Sequence, residues 1–270
     1  MKFLQSISLA LCLAAAPGLA DEMPELDEIV EVRLLSGWTE ASGARIGALQ
    51  VTLAPGWKTY WRVAGETGLP PYFNWSGSVN LDRVEMLWPR PDLFVMEDIR
   101  FLGFQNELVL PIRFWPETTG AMEIAAAVEI GVCKDVCIPY GSTHVSLLET
   151  AGAEDRFLIE LALADQPEQA RDQAILRGDC TLVDADEGYR VIATIHNTAG
   201  FGADPMLVVE AAGPDLWVTP ARAHIRDQTL QLTADILSMG DRIPPLVPAD
   251  IRLTLIGAGR AMEVDGCTAF

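Results

Sequence analysis

Glu107-Leu108-Val109-Leu110-Pro111-Ile112-Arg113-Phe114 is the stretch that decides the fold. In an extended chain successive side chains point to opposite faces, so Leu108, Leu110, Ile112 and Phe114 share one side and Glu107, Val109, Pro111 and Arg113 the other. Proline cannot donate to a ladder, and Pro111 therefore marks an edge or a bulge. Outward from this run, β-branched and aromatic stretches recur at 28–35, 45–53, 57–63, 79–87, 122–132 and 143–148, each bounded by Gly, Pro, Ser or Asn. Seven short strands in about 120 residues predict an antiparallel β-sandwich.

Between 153 and 178 the period changes to a helical one, with Phe157, Leu158 and Leu161 and then Ala170, Ala174 and Ile175 at three-to-four spacing. Asp165 and Pro167 read as the start of a second short helix, and Gly178 as its end. Strands then resume. Tyr189, Val191, Ala193 and Ile195 alternate with polar or mixed positions, and Leu230, Leu232, Ala234 and Ile236 alternate with Thr229, Gln231, Thr233 and Asp235. The chain is thus expected to be mainly β, with a sandwich over 21–150, a helical linker over 151–178 and a second, smaller β domain over 179–270.

The N-terminus sets the redox compartment. Lys2, the apolar run 7–16 and the small residues of Gly18-Leu19-Ala20 form an export signal over 1–20, so the mature chain is expected to begin at Asp21 in the periplasm. Cys12 leaves with the signal. The formal charge of −19 becomes −20 without Lys2, a balance that repels nucleic-acid phosphate and excludes nucleic acid as a partner. Half the residues are hydrophobic, enough to fill two cores.

Four cysteines remain. Cys180 and Cys267 bracket the second β domain, and a bond between them would close a long loop worth ~4–5 kcal/mol in the chain-entropy model, so they read as a structural disulfide. Cys133 and Cys137 differ: a bridge over so short a loop stabilises little, and an exposed pair in an oxidising compartment is either a staple or a working dithiol. Strand parity puts Ile124, Ala126, Val128, Ile130 and Val132 on the core face and Gly131 and Cys133 on the other, with Lys134-Asp135-Val136 turning into Cys137. Lys134 favours a thiolate and Asp135 opposes it. Spacing and composition leave the two readings evenly balanced.

The ordered set Trp57-Lys58-Thr59-Tyr60-Trp61-Arg62, Gly65-Glu66-Thr67-Gly68-Leu69-Pro70-Pro71, Trp75-Ser76-Gly77-Ser78-Val79-Asn80, Trp88-Pro89-Arg90-Pro91, Leu108-Val109-Leu110-Pro111 and the segment from Cys133 to Pro139 resembles the N-terminal periplasmic domain of the DsbD family of thiol:disulfide interchange proteins, and ScsB-type members most of all. The resemblance spans 26–148. It implies an immunoglobulin-like sandwich in which Cys133 and Cys137 are the shuttling dithiol, with Cys137 forming mixed disulfides. It also implies a thioredoxin-like domain or membrane electron transporter as donor, and disulfide-containing periplasmic proteins as clients. A cap loop over 94–104 is implied too, containing Glu97, Asp98, Phe101 and Phe104, with Phe101 the first choice to cover the disulfide. The family's membrane part and Cys-x-x-Cys domain have no counterpart here, so electrons are expected from a separate partner, and 179–270 is expected to be a scaffold.

Other chemistry is weaker. His144, His196 and His224 lack ligand spacing, and no metal or cofactor is expected from them. A copper(I) site built from Cys133, Cys137 and Met96 suits soft-ligand preference and stands as an alternative. Gly257-Ala258-Gly259 reads as a turn, Asn74-Trp75-Ser76 as an incidental glycosylation pattern, and no Gly-x-Ser-x-Gly is present. Two functions remain: cofactor-free disulfide exchange, or a non-catalytic binding or assembly module with a structural Cys133–Cys137 bridge.

Overall fold

The run that decides the fold is a strand over Glu107–Trp115, with Leu108, Leu110, Ile112 and Phe114 all buried. The computed structural model describes residues 25–65, 68–96, 99–172, 176–213 and 215–270; the expected signal over 1–20, its cleavage point and Cys12 lie outside them. Among the described residues a short helix α1 (Leu26–Ile29) leads into ten strands: β1 (Val30–Thr39), β2 (Arg45–Leu53), β3 (Lys58–Gly65), β4 (Tyr72–Asn74), β5 (Arg83–Met86), β6 (Asp92–Met96), β7 (Ile99–Gln105), β8 (Glu107–Trp115), β9 (Glu123–Cys133) and β10 (Cys137–Leu147). They form two antiparallel sheets, in the orders β1-β2-β8-β5 and β10-β9-β3-β7-β6, with β4 also on β9. The expected immunoglobulin-like β-sandwich is the fold found.

Pro111 occupies an interior strand, and the ladder shows why that is tolerated. Its carbonyl accepts from Leu87, just past the last β5 pair at Met86 and Ile112. In a strand the N–H points to the same side as the carbonyl, so the missing donor falls where the edge strand β5 has already ended.

Helix α2 (Ala153–Ala164) lies on the outer face of the first sheet. Glu154 and Asp155 in its first turn complement the positive end of the helix dipole. Ile159 packs on Leu35, Ile46 and Ala48, which explains why β2 is buried on both faces. The seam differs from the one the spacing predicts: Ile159 and Ala162 are buried, while Phe157 and Leu161 are 59% and 53% exposed. The predicted second helix is also not formed. Asp165 instead closes α2, and its carbonyl and carboxylate both accept from Arg90. Beyond it the chain makes a two-residue strand β11 (Glu168–Gln169) parallel to Met262 and Glu263, then a 3-10 turn at Ala170–Asp172. Strand pairing outweighs the short helical period there. Ala174 and Ile175 lie outside the described residues, and Gly178 is inside a strand, where a β-carbon would strike the Thr194 carbonyl and the Phe270 ring.

The remaining strands are β12 (Arg177–Ala185), β13 (Gly188–His196), β14 (Met206–Ala211), β15 (Leu216–Val218), β16 (Arg222–Arg226), β17 (Thr229–Ser238), β18 (Ile251–Gly257) and β19 (Arg260–Asp265). Sheets β11-β19-β18-β14 and β12-β13-β17-β15, with β16 on β17, enclose a second core around Val191, Ile195, Leu232, Leu253 and Leu255. Cys180 of β12 is bonded to Cys267 just beyond β19, and both are buried. That bond links the two sheets covalently across the core.

The two sandwiches share a packed junction. Val208, Ile256 and Ala261 belong to the first hydrophobic cluster, although they sit on strands of the second sandwich. Beside them Arg62 of β3 donates to Glu210 at 2.8 and 2.9 Å and to Glu263, which also accepts from Gln169. The guanidinium lies 4.0 Å over the Trp61 ring. Burial pulls its pKa down, but the two carboxylates outweigh that and hold it above the ordinary arginine value. The buried cation is thus paired with two carboxylates through its Nε and Nη2 groups.

Candidate functional site

Cys133 ends β9 and Cys137 begins β10, and the hairpin register sets them directly opposite each other, bonded, with Cα atoms 4.2 Å apart. Parity along β9 holds as expected: Ile124, Ala126, Val128, Ile130 and Val132 enter the main core. The two sulfurs are not equally placed. Cys133 is 4% exposed, whereas Cys137 is exposed along with Lys134, Asp135 and Val136. Only half of the pair matches the surface position that the hairpin end suggests.

The residues that bury Cys133 come from β3, β6 and β7. Lys58 pairs with Cys133 in register, so the even residues of β3 share the cysteine face while Thr59 and Trp61 turn into the core. Tyr60 therefore lies over the disulfide. Its hydroxyl is 3.0 Å from each sulfur, and because bonded sulfurs carry no proton the phenol is the donor. Burial raises the Tyr60 pKa, so the hydroxyl keeps its proton. Two glycines make room for the ring: a β-carbon at Gly68 would come within 2.7 Å of it, and one at Gly131 within 3.0 Å. Thr59, buried beneath, gives its hydroxyl to the Gly131 carbonyl.

The segment expected to be a cap loop is a β-hairpin, because β6 and β7 pair through Asp92–Gly103 to Met96–Ile99. Glu97 and Asp98, its predicted carboxylates, lie outside the described residues. Phe101 is buried in the cysteine cluster with Tyr60, Ala64 and Cys133, and its ring meets Tyr60 edge-on at 5.8 Å. Phe94 stacks on Phe101 at 5.1 Å, with the Lys58 ammonium over its ring. Phe104 faces the other way. It is three residues from Phe101, so strand parity sends it into the main core against Trp88, and it is not part of the cover.

Met96 closes β6 and is half-exposed. Among the described residues no group of three or more His, Cys, Asp or Glu is placed to hold a metal ion. Within the same residues no helix is long and apolar enough to cross a membrane.

Tyr60, Phe94 and Lys58 were not singled out by the sequence reasoning. The signal was available for Tyr60: once Trp61 is assigned to the core, period two puts Tyr60 and Arg62 on the face that carries Cys133. Phe94 needed the β6–β7 pairing, which the hidden hairpin withheld.

The arrangement is an asymmetric disulfide with one sulfur open to a thiol, the other under aromatic cover, and a neutral donor touching both. No curated protein sequence matches the chain. The crystal structure of the N-terminal periplasmic domain of ScsB from Proteus mirabilis superposes with a TM-score of 0.64 at 20% identity, covering 89% of this chain and 94% of that one, a likeness of fold. Residues 31–149, which hold the first sandwich, both cysteines and their aromatic cover, match the family model for the N-terminal part of the thiol:disulfide interchange protein DsbD.

Proposed function

We propose that this chain is a periplasmic thiol:disulfide exchange protein that takes reducing equivalents from a thioredoxin-like domain or membrane electron transporter and passes them to disulfide-containing periplasmic clients. The match of residues 31–149 to the family model for the N-terminal part of the thiol:disulfide interchange protein DsbD supports the general role. The observation that carries the mechanism is the unequal exposure of Cys133 and Cys137.

In the reduced chain the Cys137 thiolate attacks a client disulfide, forming a mixed disulfide and expelling one client thiolate. The Cys133 thiolate then attacks Cys137, closing the internal bond and releasing the second client sulfur. Two electrons and two protons reach the client. The donor reverses the sequence by attacking Cys137, the sulfur a second protein can reach. Tyr60 stays within hydrogen-bond distance of both sulfurs and steadies charge as it moves between them. No bound cofactor enters the cycle.

A redox titration tests this. A potential near or above about −250 mV supports exchange, and one below about −300 mV makes the bond a staple. Cys133→Ala should trap mixed disulfides with oxidised client protein, and adding Cys137→Ala should abolish the trapping. A Cys133→Ala chain that traps nothing overturns the proposal.

A further inference from the structure

The sequence contains three lysines: Lys2 in the expected signal, Lys58 and Lys134. The latter two both flank the disulfide. Lys58 of β3 pairs in register with Cys133, and Lys134 follows Cys133 in the hairpin turn. Their ends meet at Gly56, in the turn that precedes β3. The Lys58 ammonium donates to the Gly56 carbonyl at 3.4 Å, and a β-carbon at Gly56 would stand 3.5 Å from Lys134 Cε and 4.0 Å from its Nζ. With φ of +85° and no side chain, Gly56 leaves that space to the lysine.

Arginine is the residue of fixed ion pairs in this chain: Arg62, Arg90, Arg100 and Arg113 each hold a carboxylate. Among the described residues neither lysine is in an ion pair, and Lys58 touches only a carbonyl and the face of Phe94, both neutral. The described carboxylates on this face do not cancel the two charges. Asp135, exposed in the same turn, offsets one of them. Asp92 is held by Arg90 at 3.7 Å. Glu129 lies four residues back along β9, about 13 Å away in an extended strand. A positive charge therefore stands at the hairpin of the exposed sulfur, in a chain whose formal net charge is −19.

We propose that Lys58 and Lys134 form a carboxylate-recognition site that selects small acidic disulfides for Cys137, substrates with carboxylates on both sides of the reacting sulfur, as glutathione disulfide has. The spacing suits this role. Register puts the Lys58 Cα about 5 Å from that of Cys133, and the Cys137 Cα is 4.2 Å from Cys133, so flexible lysine stems reach the groups that flank a sulfur docked on Cys137. A compact ammonium on a flexible stem follows a small substrate where the planar arginine fork would fix one geometry. The reaction is the exchange itself: Cys137 attacks, one acidic thiolate leaves, and Cys133 closes the internal bond and releases the second. Each turnover gives one Cys133–Cys137 bond and two small thiols. This inference rests on the exchange reading.

The test mixes the full reduced chain with three disulfides: glutathione disulfide, which is anionic, hydroxyethyl disulfide, which is neutral, and cystamine, which is cationic. Each rate is divided by that of the same disulfide with mercaptoethanol, which cancels differences among leaving groups. At about 0.1 M salt, where charges beyond about 10 Å are screened, the acidic disulfide should lead the neutral one about five-fold and the cationic one by more. The net charge of the chain alone would give the opposite order. About 1 M salt should bring the three within roughly two-fold. Lys58→Gln with Lys134→Gln should abolish the order, and Lys58→Arg with Lys134→Arg should keep it. A changed thiol ionisation would slow all three disulfides together, so their ratios read recognition alone. Lys134→Gln, at an exposed position away from the Phe94 contact, should by itself lower the preference about two-fold. Equal corrected rates in the wild type, a lead for the cationic disulfide, a glutamine variant that keeps the full order or an arginine variant that loses it each overturns the site while exchange stands. A wild type that reacts with none of the three disulfides removes the exchange reading, and the inference with it.

Discussion

The phenolic oxygen of Tyr60 lies 3.0 Å from the sulfur of Cys137, the exposed member of the pair. Tyr60→Phe keeps the ring between Gly68 and Gly131 and removes only this donor. A hydrogen bond of this kind is worth ~0.5–1.5 kcal/mol, so exchange with glutathione disulfide should slow by roughly two- to ten-fold with little change in unfolding midpoint. Stopped-flow mixing, followed by tryptophan emission, reads the rate.

The same residue gives a pH dependence. Burial raises the Tyr60 pKa above its ordinary value of 10.0, so the folded chain holds this proton more tightly than the unfolded one. Its contribution to stability is complete below pH 10 and is lost as pH rises through the folded value. Urea midpoints from pH 8 to 11 should fall more steeply above pH 10 in the wild type than in Tyr60→Phe.

Phe101 is 5% exposed and fills the space between Tyr60 and Phe94. Phe101→Ala should cost about 3–5 kcal/mol, as truncation of a buried aromatic does. Removing cover from Cys133 should also speed reaction of the disulfide with small thiols. Phe104→Ala provides the contrast: a comparable loss of stability by urea unfolding, with the thiol reaction unchanged.

Arg62→Ala leaves Glu210 and Glu263 side by side at the junction with no cation between them. Breaking one partner out of a mostly buried ion pair costs about 3–5 kcal/mol. Chemical unfolding should show that loss, and replacing both glutamates with glutamine in the same background should recover part of it.

Replacing Cys180 and Cys267 together with alanine releases an 87-residue separation, for which the chain-entropy model gives a loss of ~4–5 kcal/mol. The thermal midpoint should drop. Exchange at Cys133 and Cys137 below that temperature should be unaffected.

Much of the sandwich was legible because its strands obey period two: 45–53 and 107–114 match β2 and β8 closely, and parity along β9 alone put Cys133 off the core face. Strands β6 and β7 were missed because both carry apolar residues on each face, Phe94 and Phe101 over the cysteines and Leu102 and Phe104 in the core, so no alternation marks them. The second helix failed for the opposite reason. Ala170, Ala174 and Ile175 have helical spacing, but the preceding Glu168 and Gln169 find a strand partner in β19, and such a partner cannot be read from a local window. The burial of Cys133 was hidden likewise, since it depends on residues more than 30 positions away in the chain.

Strand β3 reaches the sulfurs through Tyr60 and, two residues on, the carboxylates of the C-terminal sandwich through Arg62. A β-strand spans about 7 Å over two residues and does not stretch. The two ends of that short rod are therefore placed together: the contacts of Arg62 with Glu210 and Glu263 fix the strand two residues from the phenol that touches the sulfurs. The reaction geometry is surveyed from outside the sheet that contains it.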